Sequence, residues 1–206
     1  NQASLKETKK FQNLHGSLIE NTEKLLRHGI GVYAGMIFGF DNDTLQTFED
    51  QLNCLNESPI PAFSVGALIA YRSTPLYSRM VKEGRVDVQM GDSQFYPWET
   101  NLTMKNMSRE EFVAGYRHFI KEVYSPKAFG HRMLRALELF GQDAPEIFKQ
   151  KVPVTLAVGS KWFPTVVQKI SELGPQEAQM VDQVLRKGAE HDLKIMSLGK
   201  YLYCYL

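Results

Sequence analysis

The 206-residue chain contains only two cysteines, Cys54 and Cys204, far apart and without any CxxC or CxxxCxxC run. Neither a disulfide framework nor a thiolate metal or cluster site is therefore written in it, and a reducing cytoplasm is the expected location. Charge of one sign is also lacking: 24 basic residues stand against 23 acidic ones, for a formal net charge of +1. That balance leaves no global field to recruit nucleic acid or an anionic membrane. No apolar run approaches the roughly 20 residues of a membrane span, and the N-terminus lacks the apolar stretch of a secretory signal. The five histidines, His15, His28, His118, His131 and His191, show no HxH, HxxxH or HExxH spacing, which argues against metal ligation. Three Asn-X-Ser/Thr sequons, at Asn42, Asn101 and Asn106, carry no weight without a secretion signal. No internal repeat or low-complexity tract is present, and no triad is legible.

What remains is an ordinary globular composition, 43% hydrophobic and 23% charged, enough for one large domain or two small ones. The chain begins at Asn1 rather than methionine, from which a processed product or an excised piece of a longer protein is expected.

Periodicity divides the chain into segments. Residues 17–28, SLIENTEKLLRH, predict a helix with Leu18, Leu25 and Leu26 on one face, stopped by Gly29. Residues 32–38 are nearly all apolar, as in a parallel strand covered on both faces. Asp43 and Gln46 have capping-box spacing before Leu45, Phe48, Leu52 and Leu55. A second apolar run, 63–71, predicts another strand. Helix, strand, helix, strand with short connections is an α/β crossover pattern. Two parallel strands cannot stand alone with edges and faces exposed, so the pattern reads as the last units of a larger α/β barrel whose first units are absent or come from another chain.

Past Gly84 no period is visible until Ser108. This long loop holds Phe95, Tyr96, Pro97 and Trp98, and suits either a pocket lid or an aromatic plug. Ser108 and Glu111 form a further capping box, followed by Phe112, Tyr116, Phe119, Ile120 and Val123 at helical spacing. Glu110 and Glu111 are explained by the dipole of that helix's first turn. Pro126 opens another helix, with Phe129, Met133 and Leu137 inward and Gly141 at its end. The remainder reads mainly helical, and the final KYLYCYL fits either strand or helix.

The stretch GMIFGFDND, residues 35–43, fits two accounts. Gly35 and Gly39 could let a planar group approach the backbone beside Ile37 and Phe38, with Asp41 and Asp43 at the strand's C-terminal end, where α/β folds place ligands. Alternatively, the glycines serve close packing and the aspartates a turn and a helix cap.

Four segments in order, SLKETKKFQN, GVYAGMIFGFDNDTLQTF, GALIAYRSTPLYSRMVKEGRV and TNLTMKNMSREEFVAGYRHFIKEVYSP, resemble the C-terminal half of radical S-adenosylmethionine (iron–sulfur oxidoreductase) proteins. The similarity is to the group with a cobalamin-binding-type N-terminal domain and a helical C-terminal extension of unknown function, and it covers about residues 4–135. The resemblance implies an α/β fold: the C-terminal portion of a partial (β/α) TIM-type barrel with two main parallel strands, then a mainly α-helical extension. Residues 1–84 would be the last strand–helix units, 85–107 the loop and 108–206 the helical domain.

In that superfamily a GxIxG-type strand lies against the adenine of the cofactor. The matching positions are Gly35, Ile37 and Gly39, with Phe40 and Asp41 just beyond. The last barrel strand would add contacts from Leu68, Ala70 and Arg72. The family's CxxxCxxC loop is missing, and two distant cysteines cannot hold a three-thiolate 4Fe–4S cluster. The resemblance therefore implies S-adenosylmethionine and the cluster as cofactors of a parent protein, and admits cobalamin. Its reaction would be methyl transfer or another carbon modification on an unknown small molecule. The expected partner is the missing N-terminal barrel half or a second copy of the chain, with no nucleic acid and no membrane span. The rival readings are a non-catalytic interaction module derived from that fold and a free-standing α/β domain without a ligand. No catalytic residue and no metal ligand is assigned.

Overall fold

A computed structural model describes residues 17–90, 96–145, 162–189, 198–199 and 201–206. The segment SLKETKKFQN and Phe95 of the aromatic cluster lie outside the described residues. The architecture is a small two-stranded parallel sheet followed by a largely helical region, a partial, open barrel-like core with a helical extension.

Helix α1, Leu18–Arg27, starts where the Ser17 hydroxyl accepts the Glu20 N–H at 3.3 Å. Glu20 in its first turn and Lys24 and Arg27 in its last complement the helix dipole. It ends at Gly29, whose φ of +79° suits a residue without Cβ. The expected inward face is corrected: Thr22 and Leu26 are buried, while Leu18 and Leu25 are 61% and 42% exposed. Thr22 can face inward because its hydroxyl donates to the Leu18 carbonyl at 2.8 Å.

Strand β1, Tyr33–Phe38, leads through helix α2, Leu45–Glu57, to strand β2, Ala62–Ala67. Burial along β1 alternates: Tyr33, Gly35 and Ile37 are exposed, and Phe38 is buried. This corrects the expectation of a strand covered on both faces. The sequence is apolar at every second position on both sides, but no described element lies over Gly35 and Ile37. Strand β2 ends four residues sooner than expected, at Ala67. There the Leu68 N–H still reaches the Phe38 carbonyl of β1 at 2.7 Å, while the Ala67 N–H turns to the Pro97 carbonyl at 2.8 Å. The Asn101 side chain both accepts from the Ala70 N–H (2.9 Å) and donates to the Ala70 carbonyl (2.8 Å), doing for that residue what a neighbouring strand would do. Residues 97–101 thus run as a strap along residues 67–70, the stretch that continues β2, and an antiparallel bridge between Val86 and Leu102 holds the strap to the chain past helix α3, Pro75–Lys82.

Contacts group the described residues into two units. In the first, containing residues 35–52 and 64–121, phenylalanines form the centre. Phe38 stacks on Phe48 at 4.4 Å and meets Phe119 edge-on at 4.9 Å, and Phe48 meets Phe112 at 5.8 Å. Helix α4, Arg109–Val123, opens with the expected capping box: the Ser108 N–H reaches Glu111 at 2.7 Å and the Glu111 N–H reaches the Ser108 hydroxyl at 3.1 Å. Gly115 in its middle admits the Phe48 ring against bare helix backbone, because a Cβ there would lie 2.7 Å from that ring.

The second unit draws on residues 17–34 and 53–63 and on the described residues from 122 onward. Helix α5, Pro126–Leu139, begins behind Ser125 with proline in its first turn, and Phe129, Met133 and Leu137 point inward as the spacing predicts. Helix α6, Trp162–Leu173, and helix α7, Pro175–Gly188, pack together, and α7 and α1 both pack on α5. Residues 201–203 are helical, which settles the ambiguous KYLYCYL end. The largest fully buried side chain is Arg132, whose guanidinium donates to the carbonyls of Val123 (2.7 Å) and Ile60 (3.2 Å) and to Asn56 Oδ1 (3.4 Å), and sits 5.4 Å from the Phe63 ring centre. Burial pushes its pKa down to about 10, since a desolvated cation is penalised.

Candidate functional site

The open face of the sheet is built from every second residue of each strand. Gly35 and Ile37 come from β1, and Ser64 and Gly66 from β2. A Cβ on Gly35 would lie 3.8 Å from the Ser64 hydroxyl, and one on Gly66 would meet nothing within 4 Å. Two glycines on adjacent strands leave the backbone flat and accessible, and Ile37, 39% exposed, stands as the apolar side chain beside them.

Beyond β1 the chain turns sharply. Gly39 has φ +104° and is buried. Its N–H donates to Asp43 Oδ2 at 2.9 Å, and the half-buried Phe40 donates to the same oxygen at 3.0 Å. The expected Asp43–Gln46 capping box is thereby corrected: Asp43 is spent on the turn. Helix α2 is capped one residue later, by the Thr44 N–H donating to the Thr47 hydroxyl at 3.0 Å, while Gln46 bonds Asp50 at 3.0 Å. A Cβ on Gly39 would touch Leu68 and Phe112 at 3.6–3.7 Å. Backbone conformation therefore accounts for this glycine, whereas neither conformation nor a close neighbour among the described residues requires glycine at 35 or 66.

Next to this turn, the Asp41 side chain, only 8% exposed, gathers three cations. Arg85 Nη2 lies at 2.8 Å, Arg79 Nη1 at 3.1 Å and Lys105 Nζ at 3.3 Å from its oxygens. Burial pushes the Asp41 carboxyl up, but the pairing with Arg85, then Lys105 and Arg79, outweighs it and holds the pKa below the ordinary value. Asn106 fixes the loop from beneath, donating from Nδ2 to the carbonyls of Asp41 (2.8 Å) and Asp43 (3.1 Å). Asp41, Asn42, Arg79, Lys105 and Asn106 line a wide, open hollow.

The remaining expected positions are placed differently. Ala70 is fully buried among Met80 and Leu102, with its N–H and carbonyl both taken by Asn101. Leu68 is half-buried against the same cluster, and Arg72 donates to the Val88 carbonyl at 3.3 Å. The structure thus unites Gly35 and Ile37 with Ser64 and Gly66, and Asp41 with its cations, but keeps Ala70 off the open face. Sequence reasoning missed Ser64 and Gly66, although their period-two alternation in FSVGA was available as a signal. It also missed Arg79, Arg85 and Lys105, which no spacing connects. Among the described residues no group of three or more His, Cys, Asp or Glu side chains could hold a metal ion, and none of the helices is long and apolar enough to cross a membrane.

Residues 74–177, half of the chain, match the family described as domain of unknown function DUF4070, and the chain belongs to that family. The hopanoid C-2 methylase of Rhodopseudomonas palustris is 29% identical over 125 residues, covering 61% of this chain and 22% of that protein. The uncharacterized methyltransferase sll1242 of Synechocystis sp. is 28% identical over 140 residues, covering 67% of this chain and 26% of that protein. The chain thus spans about a quarter of the length of these curated relatives, and it is distantly homologous to methyltransferase-type proteins. No solved structure matches it significantly.

Proposed function

We propose that the chain is the C-terminal part of a radical S-adenosylmethionine enzyme of the methyl-transfer type, and that the open face of β1 and β2 forms one wall of its adenosyl-binding cleft. One observation carries the reading. The face bearing Gly35, Ile37 and Ser64 is exposed, with Gly66 half-buried beside them, while Phe38 on the opposite side of β1 is packed against Phe48 and Phe119.

The residues fit a purine. A flat ring can lie at van der Waals distance over two glycines, Ile37 gives it apolar contact, and the Ser64 hydroxyl beside Gly35 offers a hydrogen bond at its edge. Asp41, already engaged by three cations, acts by fixing the loop at the end of β1. When bound, S-adenosylmethionine supplies the transferable methyl group and, with a reduced 4Fe–4S cluster, radical chemistry. That cluster belongs to a barrel half outside this chain, because Cys54 and Cys204 are fewer than the thiolates it requires. The names of the two relatives support methyl transfer, and the resemblance of the four sequence segments admits cobalamin as a further cofactor of the whole protein.

The test is a titration of the chain with S-adenosylhomocysteine, followed by amide NMR shifts. The reading predicts weak, saturable shifts at Gly35, Ile37, Ser64 and Gly66. Shifts confined to other surfaces, or none, contradict it.

A further inference from the structure

We propose that the hollow at the loop after β1 is a binding site for an oxyanion, the carboxylate or phosphoryl group of a ligand. Three separate stretches deliver its cations: Arg79 from α3, Arg85 from just past that helix and Lys105 from the segment before α4. All three nitrogens lie within 3.3 Å of the Asp41 carboxylate. For holding the loop, one such partner would suffice, and each additional cation brings like charges together.

The charges are not evenly exposed. Asp41 is 8% exposed and Arg85 13%, whereas Arg79 and Lys105 are 43% and 49% exposed. Asp41 therefore acts as a buried counter-ion that orients two part-exposed cations, Arg79 and Lys105. Glu83 also pairs with Arg85, at 2.9 Å, but it does not line the hollow. The lining charges are Arg79 and Lys105 against Asp41, with Asn42 and Asn106 completing the wall.

This constellation selects a chemistry. The excess of cations disfavours a metal ion. A guanidinium fork and an ammonium point charge together suit a group with several acceptor oxygens and a negative charge. The lining cations Arg79 and Lys105 converge on one carboxylate, so the match is to a single small anionic group rather than a nucleic-acid backbone. The site stands apart from the adenosyl reading, because it uses none of Gly35, Ile37, Ser64 or Gly66.

Inorganic phosphate and acetate, added separately to the chain at low ionic strength, test it through the amide shifts of Asn42, Lys105 and Asn106 and the Arg79 side-chain Nε–H signal. Saturable binding is expected, weakened about fivefold by Arg79→Gln or Lys105→Gln and lost in the double variant, since charge-assisted contacts at part-exposed sites are of that order. Both side chains are part-exposed, so the melting temperature of the variants should stay close to wild type. Saturation by phosphate alone assigns a phosphoryl group, and saturation by acetate assigns a carboxylate. No saturable shift with either anion up to about 50 mM, a range reaching well past millimolar affinity, overturns the proposal. Binding that survives the double variant overturns it too. These probes carry no adenosyl group, so failure here leaves the open-face reading untouched, and the converse also holds.

Discussion

The N–H of Gly39 points at the buried carboxylate of Asp43, 2.9 Å away, and the next N–H along, that of Phe40, shares the same oxygen at 3.0 Å. Two backbone donors at the end of a strand would otherwise be left without partners inside the protein. Because an unsatisfied buried donor costs more than an ordinary hydrogen bond contributes, Asp43→Ala should lower the unfolding free energy by about 3 kcal/mol. Asp43→Asn keeps one acceptor oxygen and should cost much less. Urea unfolding of the two variants checks the pair, and equal losses would show that the side chain's contacts to the turn are not what stabilises it.

The three glycines of the sheet region should separate by mechanism. Gly39, at φ +104°, should lose about 1–2 kcal/mol on change to alanine, since an L side chain is strained there. Gly35→Ala and Gly66→Ala should leave stability within about 0.5 kcal/mol of wild type, because neither position meets a close neighbour. Thermal melts of the three single variants would decide this.

How much of this was legible beforehand differs by residue. The Ser108–Glu111 box, the Pro126 start and the Gly29 stop were readable because each is a local rule satisfied by neighbours in sequence. The capping box at α2 was misplaced by one residue, since a competing demand claimed Asp43: the turn at Gly39 has a positive φ that single-residue identity does not reveal. The strand 32–38 looked doubly covered because hydrophobicity records what a residue tolerates, and its cover can lie in another part of the fold. The Asp41 cluster was invisible because its cations come from residues 79, 85 and 105, which only the fold brings together. Gly115, whose place in the middle of a helix no local rule explains, is accounted for by the Phe48 ring lying against it.

Acid should reveal Asp41. Its folded pKa lies below the ordinary value of 3.8, so the unfolded chain takes up the proton first. The ion pairs therefore contribute fully above the ordinary carboxylate range, and their contribution fades as the pH falls from about 4 through the lower folded value. Asp41→Asn should be less stable than wild type at neutral pH, with the difference closing below about pH 4. A difference that stays constant from pH 7 to pH 2 would show that the charge of Asp41 is not what matters.

Arg132 tests the second unit. Its planar guanidinium reaches two carbonyls and Asn56 from a fully buried position. Lysine carries the charge but cannot span those acceptors, so Arg132→Lys should destabilise the chain by about 3 kcal/mol. Equilibrium denaturation measures this directly, and a loss under about 1 kcal/mol would mean the acceptors find other donors.

The most direct test of the adenosyl-binding wall is Gly66→Val combined with the S-adenosylhomocysteine titration. The account predicts an unchanged melting temperature, because the added methyl groups enter open space, together with loss of the saturable shifts at Gly35 and Ile37. Unchanged shifts in a well-folded Gly66→Val protein would contradict it.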